Sequence, residues 1–242
     1  MWLPTPLAVA PYQKTLGDTY QIEGGSASMI EREGIDMLTA EWPDGADPIL
    51  TLTCRVAIGD YAIDFATPTV PPPKDFSAFS PYLRVTKPPQ VDDAAAKAAG
   101  PTAQLTSGTD LDHARSIFEW VVGQSGSNAL FVSLARAAGV PARLVHGLRV
   151  SAADATRAQV DRAEAYLVGY GWIPVDVSER RRFGSWEMQW IAFNAAEDVV
   201  LPGITRGSLP AFMHPHGETA GRRLDSLDPE AFRYSITVQV LE

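Results

Sequence analysis

The sequence predicts an α+β fold in which helices pack on an antiparallel sheet. Three observations carry that prediction. Two helical patterns follow each other almost without a gap between residues 110 and 138. Three strand patterns come directly after them, the last two joined by a connection of hairpin length. A β-rich stretch over residues 1–90 precedes both. Runs of helix followed by runs of neighbouring strands belong to α+β architecture rather than to alternating β-α-β units.

In the β-rich section, Ile49 to Ile58 (ILTLTCRVAI) and Tyr61 to Phe65 have strand character and are separated by Gly59-Asp60. Pro43-Asp44-Gly45 marks a turn, and Pro71-Pro72-Pro73 ends the section. Residues 91–109, rich in Ala, Asp, Gly and Pro, read as a linker in which Asp92 to Ala99 forms a short helix before Gly100-Pro101 breaks it. The core is expected over 110–242, with a C-terminal extension. Its first helix, DLDHARSIFEWVV, is capped by Thr109 or Asp110 and carries an apolar stripe of Ala114, Ile117, Phe118, Val121 and Val122. In the second helix Leu130, Phe131, Leu134 and Ala138 share a face, and Gly139 and Pro141 stop it. Strands are expected at 143–150, 163–168 and 172–175, with Gly169-Tyr170-Gly171 turning the last two, and a final strand at 233–241.

Composition excludes several classes of partner. The formal net charge of −9 over 242 residues argues against nucleic acid or an anionic membrane surface. One cysteine, Cys54, rules out an intramolecular disulfide and a thiolate metal site. The four histidines include no H-x-x-x-H pair, so neither a metal nor another cofactor is expected. No apolar run reaches the length of a membrane span, and MWLPTPLAVAPYQ lacks the basic start of a signal peptide. The compartment therefore stays open: cytoplasmic as the chain stands, periplasmic if an export signal has been removed.

GVPARLVHGLRV, followed by RAEAYLVGYGWIPVDVS, resembles the transglutaminase-like superfamily. Gly171-Trp172-Ile173-Pro174-Val175-Asp176 behind Glu164-Ala165-Tyr166 is the strongest part of the likeness. The opening WLPTP, Tyr12-Gln13 and the tail segments 183–203 and 223–237 are similar to a bacterial subgroup of that superfamily. The resemblance implies a papain-like core and a triad. A cysteine at a helix start attacks, a histidine on a neighbouring strand moves the proton, and an aspartate on the next strand orients the imidazole. Carried across residue by residue, the aspartate is Asp176. The cysteine position falls on Gln124, or on Ser125 if one deletion is allowed, and the histidine position falls on Val160. The resemblance thus implies a scaffold whose thiol and imidazole have both been replaced. The segments flanking that site also look trimmed.

Each candidate has a structural reading beside a functional one. Asp176 can orient an imidazole, or it can cap a turn and pair with Arg180 to Arg182. Ser125 can be a replacement nucleophile, or a cap or loop residue. Gln124 can donate to a bound peptide carbonyl. Tyr166 and Trp172 lie on the edge that borders the cleft in the family and are candidate binding residues. Among the histidines, His146 reads as a strand residue, His113 as exposed, and His214 and His216 as a surface loop that can supply an imidazole. Cys54 reads as strand packing, and Trp186, Trp190 and Phe193 as core. Three functions remain open. One is a pseudoenzyme scaffold that binds a peptide or protein. Another is an amide or ester hydrolase, or acyltransferase, rebuilt on Ser125, a relocated histidine and Asp176. The last is an engineered minimal form of the fold.

Overall fold

Short β-branched and aromatic runs separated by glycine and proline give seven strands before the first helical residue. They are β1 (Trp2–Pro4), β2 (Val9–Ala10), β3 (Gln13–Glu23), β4 (Ser26–Arg32), β5 (Ile35–Glu41), β6 (Ile49–Ile58) and β7 (Tyr61–Ala62). A 3-10 turn, Ser77–Leu83, follows. Next come helices α1 (Asp110–Gly123) and α2 (Asn128–Ala137). The remaining strands are β8 (Ala142–Arg149), β9 (Gln159–Leu167), β10 (Gly171–Asp176), β11 (Arg182–Phe183), β12 (Ser185–Trp186), β13 (Trp190–Asn194), β14 (Gly217–Thr219) and β15 (Arg222–Leu224). The computed structural model describes residues 1–32, 34–84, 108–151, 153–178 and 181–241. The helix expected at 92–99 lies outside the described residues, as does all of the expected linker except Gly108 and Thr109.

Both helices start and stop where their end residues dictate. Thr109 closes a capping box on α1, accepting from the Asp112 amide while the Asp112 carboxylate accepts from the Thr109 amide at 2.9 Å. Ser127 caps α2 by accepting from the Leu130 amide at 3.2 Å. Gly139, at φ 81°, ends α2. Its amide donates to Arg136 and that of Val140 to Ala135, the paired bonds of a Schellman motif.

The chain forms two compact units. One comprises residues 1–59, 145–160 and 187–242, the other residues 60–144 and 161–186. In the first, β1, β5, β13 and the 145–149 part of β8 lie in that order, with β4 also paired on β5, and all pairings are antiparallel. Also in this unit, β2, β3 and β6 make a separate sheet. In the second unit, β9, β10 and β11 form an antiparallel set in which Val175 faces Ala163 and Pro174 faces Glu164. Helices α1 and α2 cover it. Ile117, Val121 and Phe131 pack with Ala163, Ile173 and Val175 in a core with no solvent exposure at those positions. Burying these side chains supplies roughly 1.5–3 kcal/mol each for the larger ones.

The expected final strand, 233–241, is corrected. Exposure alternates along the segment, with Tyr234, Ile236 and Val238 half-buried, but among the described residues its one bridge is isolated, Asp154 with Thr237. Its partner, the irregular segment around residues 153–156, supplies main-chain bonds at Ala155 and Ala153, while the Ile236 amide donates to the Thr156 hydroxyl instead of a carbonyl, so the ladder does not propagate. Similarly, the strand expected at 61–65 is confined to Tyr61–Ala62, paired with Ser185–Trp186.

Candidate functional site

The amino end of α2 is tied to β9 and β10 by one side chain. Asn128, 5 % exposed, donates from Nδ2 to the Asp161 carbonyl at 2.8 Å and accepts at Oδ1 from the Val177 amide at 2.9 Å. Asp161 follows Val160, and Val177 follows Asp176. The helix tip is thus fastened to the chain immediately beside two of the three family positions. Asn128 was not singled out from the sequence. Its role emerges from the buried carboxamide, which satisfies one backbone acceptor and one backbone donor that burial would otherwise orphan.

The connection from α1 to α2 holds Gln124 and Ser125, both exposed. Gln124 is the C-cap of α1. The Ser125 amide donates to Val122 and the Gly126 amide to Val121, at 3.1 and 2.9 Å. These are again the bonds of a Schellman motif, and they place Ser125 at the left-handed position, φ 52°. A β-carbon on Gly126 would sit 2.7 Å from the Val121 side chain, so the turn is as tight as the helix contact permits. The strained backbone at Ser125 therefore has a helix-ending cause.

Asp176 is 3 % exposed, and its carboxylate is engaged on both oxygens. Oδ1 accepts from the Ser178 amide at 3.0 Å and from the Ser178 hydroxyl at 2.7 Å, the turn-capping role expected of it. Oδ2 stands 3.6 Å from Nε of Arg162. Of the 180–182 arginines expected to pair with it, Arg180 lies outside the described residues. Arg182 is the β11 register partner of Asp176, and among the described residues Asp176 makes its ion pair with Arg162 across the β9–β10 ladder. Arg162 is itself buried, and its guanidinium lies 4.9 Å over the Trp186 ring. The hairpin register contained this signal: one step beyond Val175–Ala163, Asp176 faces Arg162.

The imidazoles have their own surroundings. His113 is the sole histidine of the unit that holds Ser125 and Asp176. It is half-buried rather than exposed, in the first turn of α1, about 15 Å along the helix from Gly123. His146 is buried in β8 opposite Asn194. His214 shares a 3.1 Å hydrogen bond with the Tyr234 hydroxyl. His216, expected on a surface loop, is 3 % exposed. Its ring packs 5.5 Å from that of Trp2, with Nε2 3.6 Å from Glu218. Burial holds His216 below its ordinary pKa.

Cys54 faces Asp18 in the β3–β6 ladder. Burial first, then the Asp18 carboxylate, push its thiol well above the usual range, the reverse of what a nucleophile needs. Tyr166 and Trp172 pack with the 3-10 turn. Phe79 lies 4.2 Å from Tyr166 and Tyr82 4.9 Å from Trp172, ring centre to ring centre. Arg143 stacks 4.0 Å over Trp172 while bonding Glu164 at 2.6 Å. Sequence reasoning missed Phe79, Tyr82 and Arg143 as partners of this edge. Trp186, Trp190 and Phe193 are buried as expected. Among the described residues no three of His, Cys, Asp and Glu converge to hold a metal, and no helix is long and apolar enough to cross a membrane.

A helix tip fastened to an antiparallel hairpin beside a buried aspartate defines a papain-like, transglutaminase-like core. Residues 112–177 match the profile of the Transglutaminase-like superfamily. The chain is also similar to a structure of a candidate cysteine protease from Cytophaga hutchinsonii. That likeness has 13 % identity and a TM-score of 0.53, and covers 81 % of this chain and 75 % of that one; it shows the fold alone. An uncharacterized protein of Haemophilus influenzae is 34 % identical over 149 residues, 44 % of this chain. The match spans 40 % of that relative's length.

Proposed function

We propose that the transglutaminase-like domain of this chain is a pseudoenzyme scaffold, which binds a peptide or protein at the amino end of α2 without transferring acyl groups. The observation that supports this best is the state of Asp176. The carboxylate that would orient an imidazole is committed to Arg162 on one oxygen and Ser178 on the other. The thiol position offers only Gln124 or Ser125, and the imidazole position is Val160. The only cysteine lies in β6, outside residues 112–177, with its thiol held protonated. Removing even one member of a cooperating triad abolishes most of its rate. What the helix tip still presents is the exposed Gln124 carboxamide and Ser125 hydroxyl, which can donate to a main-chain carbonyl of an extended ligand.

A serine hydrolase rebuilt at Ser125 needs a base within hydrogen-bond reach of its hydroxyl. His113, the one imidazole in that unit, sits at the other end of α1. The test combines three readouts on the purified chain: labelling by a fluorophosphonate probe, incorporation of a fluorescent amine into casein, and binding to an array of immobilised peptides. The expected result is no labelling and no incorporation beyond those of Ser125→Ala, with peptide binding weakened by Gln124→Ala. Turnover or labelling that disappears in Ser125→Ala would overturn the scaffold reading in favour of the hydrolase. A chain reduced by design to the bare fold would instead show neither turnover nor any bound peptide.

A further inference from the structure

We infer that β6 is the contact strand of a symmetric dimer, its outer edge pairing antiparallel with the same edge of a second copy of this chain. In the small sheet the order is β2-β3-β6, so β6 is terminal, and among the described residues it forms a ladder with β3 alone. An edge of ten residues exposes a row of main-chain donors and acceptors that is normally blunted by proline, lysine or a bulge. The strand ILTLTCRVAI contains no proline or lysine, and its single charge is Arg55. The bulge in this ladder lies on the β3 side, at Thr15 to Gly17, and leaves the β6 edge regular. Even-numbered residues from Leu50 to Ile58 are half-buried and the odd-numbered ones exposed, so the edge has two chemically distinct faces.

Those two faces select the occupant. Residues directly opposite in an antiparallel pair lie on the same face, so a second β6 must pair odd with odd and even with even. Centred on Thr53, the pairing sets Leu52 against Cys54, Leu50 against Val56 and Thr51 against Arg55. Centred on Cys54, it sets Leu52 against Val56, Leu50 against Ile58 and Thr53 against Arg55. In both registers apolar residues meet apolar residues on the inner face and the guanidinium meets a threonine. Only centring on Arg55 would oppose two like charges. The strand therefore complements itself. With a net charge of −9 on each copy, general repulsion opposes association, and added salt relieves it.

Sedimentation velocity of the chain from 1 to 100 µM tests this, using Thr53→Lys as the disruptive variant and Thr19→Lys as its control. Thr53 is exposed and opposes either itself or Arg55 in the two registers, so a lysine there sets like charges across the dimer without disturbing the monomer. Thr19 is its exposed register partner on β3, one strand removed from the edge. The expected result is a concentration-dependent dimer that tightens with salt, an increase of at least about tenfold in its Kd for Thr53→Lys at unchanged circular dichroism, and little change for Thr19→Lys. A wild-type monomer at 100 µM overturns the proposal. So does a dimer indifferent to Thr53→Lys, or a monomer that instead takes up an added extended peptide along β6.

Discussion

Replacing Asp176 by alanine separates a structural carboxylate from a vestigial catalytic one. The side chains of Arg162 and Asp176 are 9 % and 5 % exposed. Deleting the anion leaves a buried guanidinium with this opposite charge gone, a change that costs roughly 3–5 kcal/mol. The Nε–Oδ2 separation of 3.6 Å is that of an ion pair without a short hydrogen bond, which places the pair toward the lower end of that range. Losing the two Ser178 bonds adds about 1 kcal/mol, because Ser178 is exposed and water replaces them. The expected total is about 4 kcal/mol, read as a lowered urea midpoint by far-ultraviolet circular dichroism. Arg162→Met in the same background should recover most of it, giving a coupling energy of at least about 2 kcal/mol in the double-mutant cycle. If Asp176→Ala costs less than about 1 kcal/mol, or if the two changes simply add, the carboxylate is not committed to Arg162 and the support for the scaffold reading is lost.

Ser125→Gly should stabilise the chain by about 1 kcal/mol, since glycine removes the left-handed penalty at the α1 terminus; thermal melts check it, and a loss of stability would mean that the hydroxyl has a partner. Cys54 should react with iodoacetamide at pH 8 at least about tenfold more slowly in the folded chain than in urea, and Asp18→Asn should speed the native reaction, because both burial and the Asp18 carboxylate hold the thiol protonated; equal native and denatured rates would refute that. His216 has its pKa lowered from 6.5 by burial. The unfolded chain therefore takes up a proton first, and stability present above pH 6.5 falls as pH drops from there toward the folded value, with no further loss below it. His216→Gln should flatten that segment of a stability-against-pH curve, and an unchanged slope would assign the dependence to other groups.

The parts of this molecule written in local chemistry were legible in the sequence. Thr109 and Gly139 mark helix ends through bonds to their own neighbours, and the Gly169-Tyr170-Gly171 hairpin fixes its own register, whereas the second helix is capped by Ser127 and not by Ser125, the cap candidate named from the sequence. Residues 49–58 alternate because one face of the strand is half-buried, and the strand was read to the residue. Features that depend on distant chain were not legible. The 3-10 turn that brings Phe79 and Tyr82 onto Tyr166 and Trp172 is nearly ninety positions away from them and has no periodicity to announce it. The burial of His216 follows from its bridge to Trp2, at the other end of the sequence. Segment 233–241 has the alternation of a strand but lacks a regular partner, and alternation alone cannot supply one.

The Asp176 site lies between those cases, and a physical necessity links its parts. A carboxylate fixed at the end of β10 and buried must find a cation, an imidazole or donors, because an uncompensated buried charge costs several kcal/mol, a large share of a domain's stability. With valine at 160, position 162 is the next residue of β9 on the same face, and the hairpin register sets it opposite Asp176. An arginine there satisfies the charge without a titratable group, since guanidinium stays protonated throughout the physiological range. Retaining Asp176 while losing the imidazole is thus stable only with such a replacement. The consequence can be tested in one step. Arg162→Gln alone should destabilise the chain, because it takes this cation from the buried carboxylate, and Asp176→Asn in the same background should recover most of the loss. No recovery in the double variant would show that Arg162 acts through its packing on Trp186 and not through its charge.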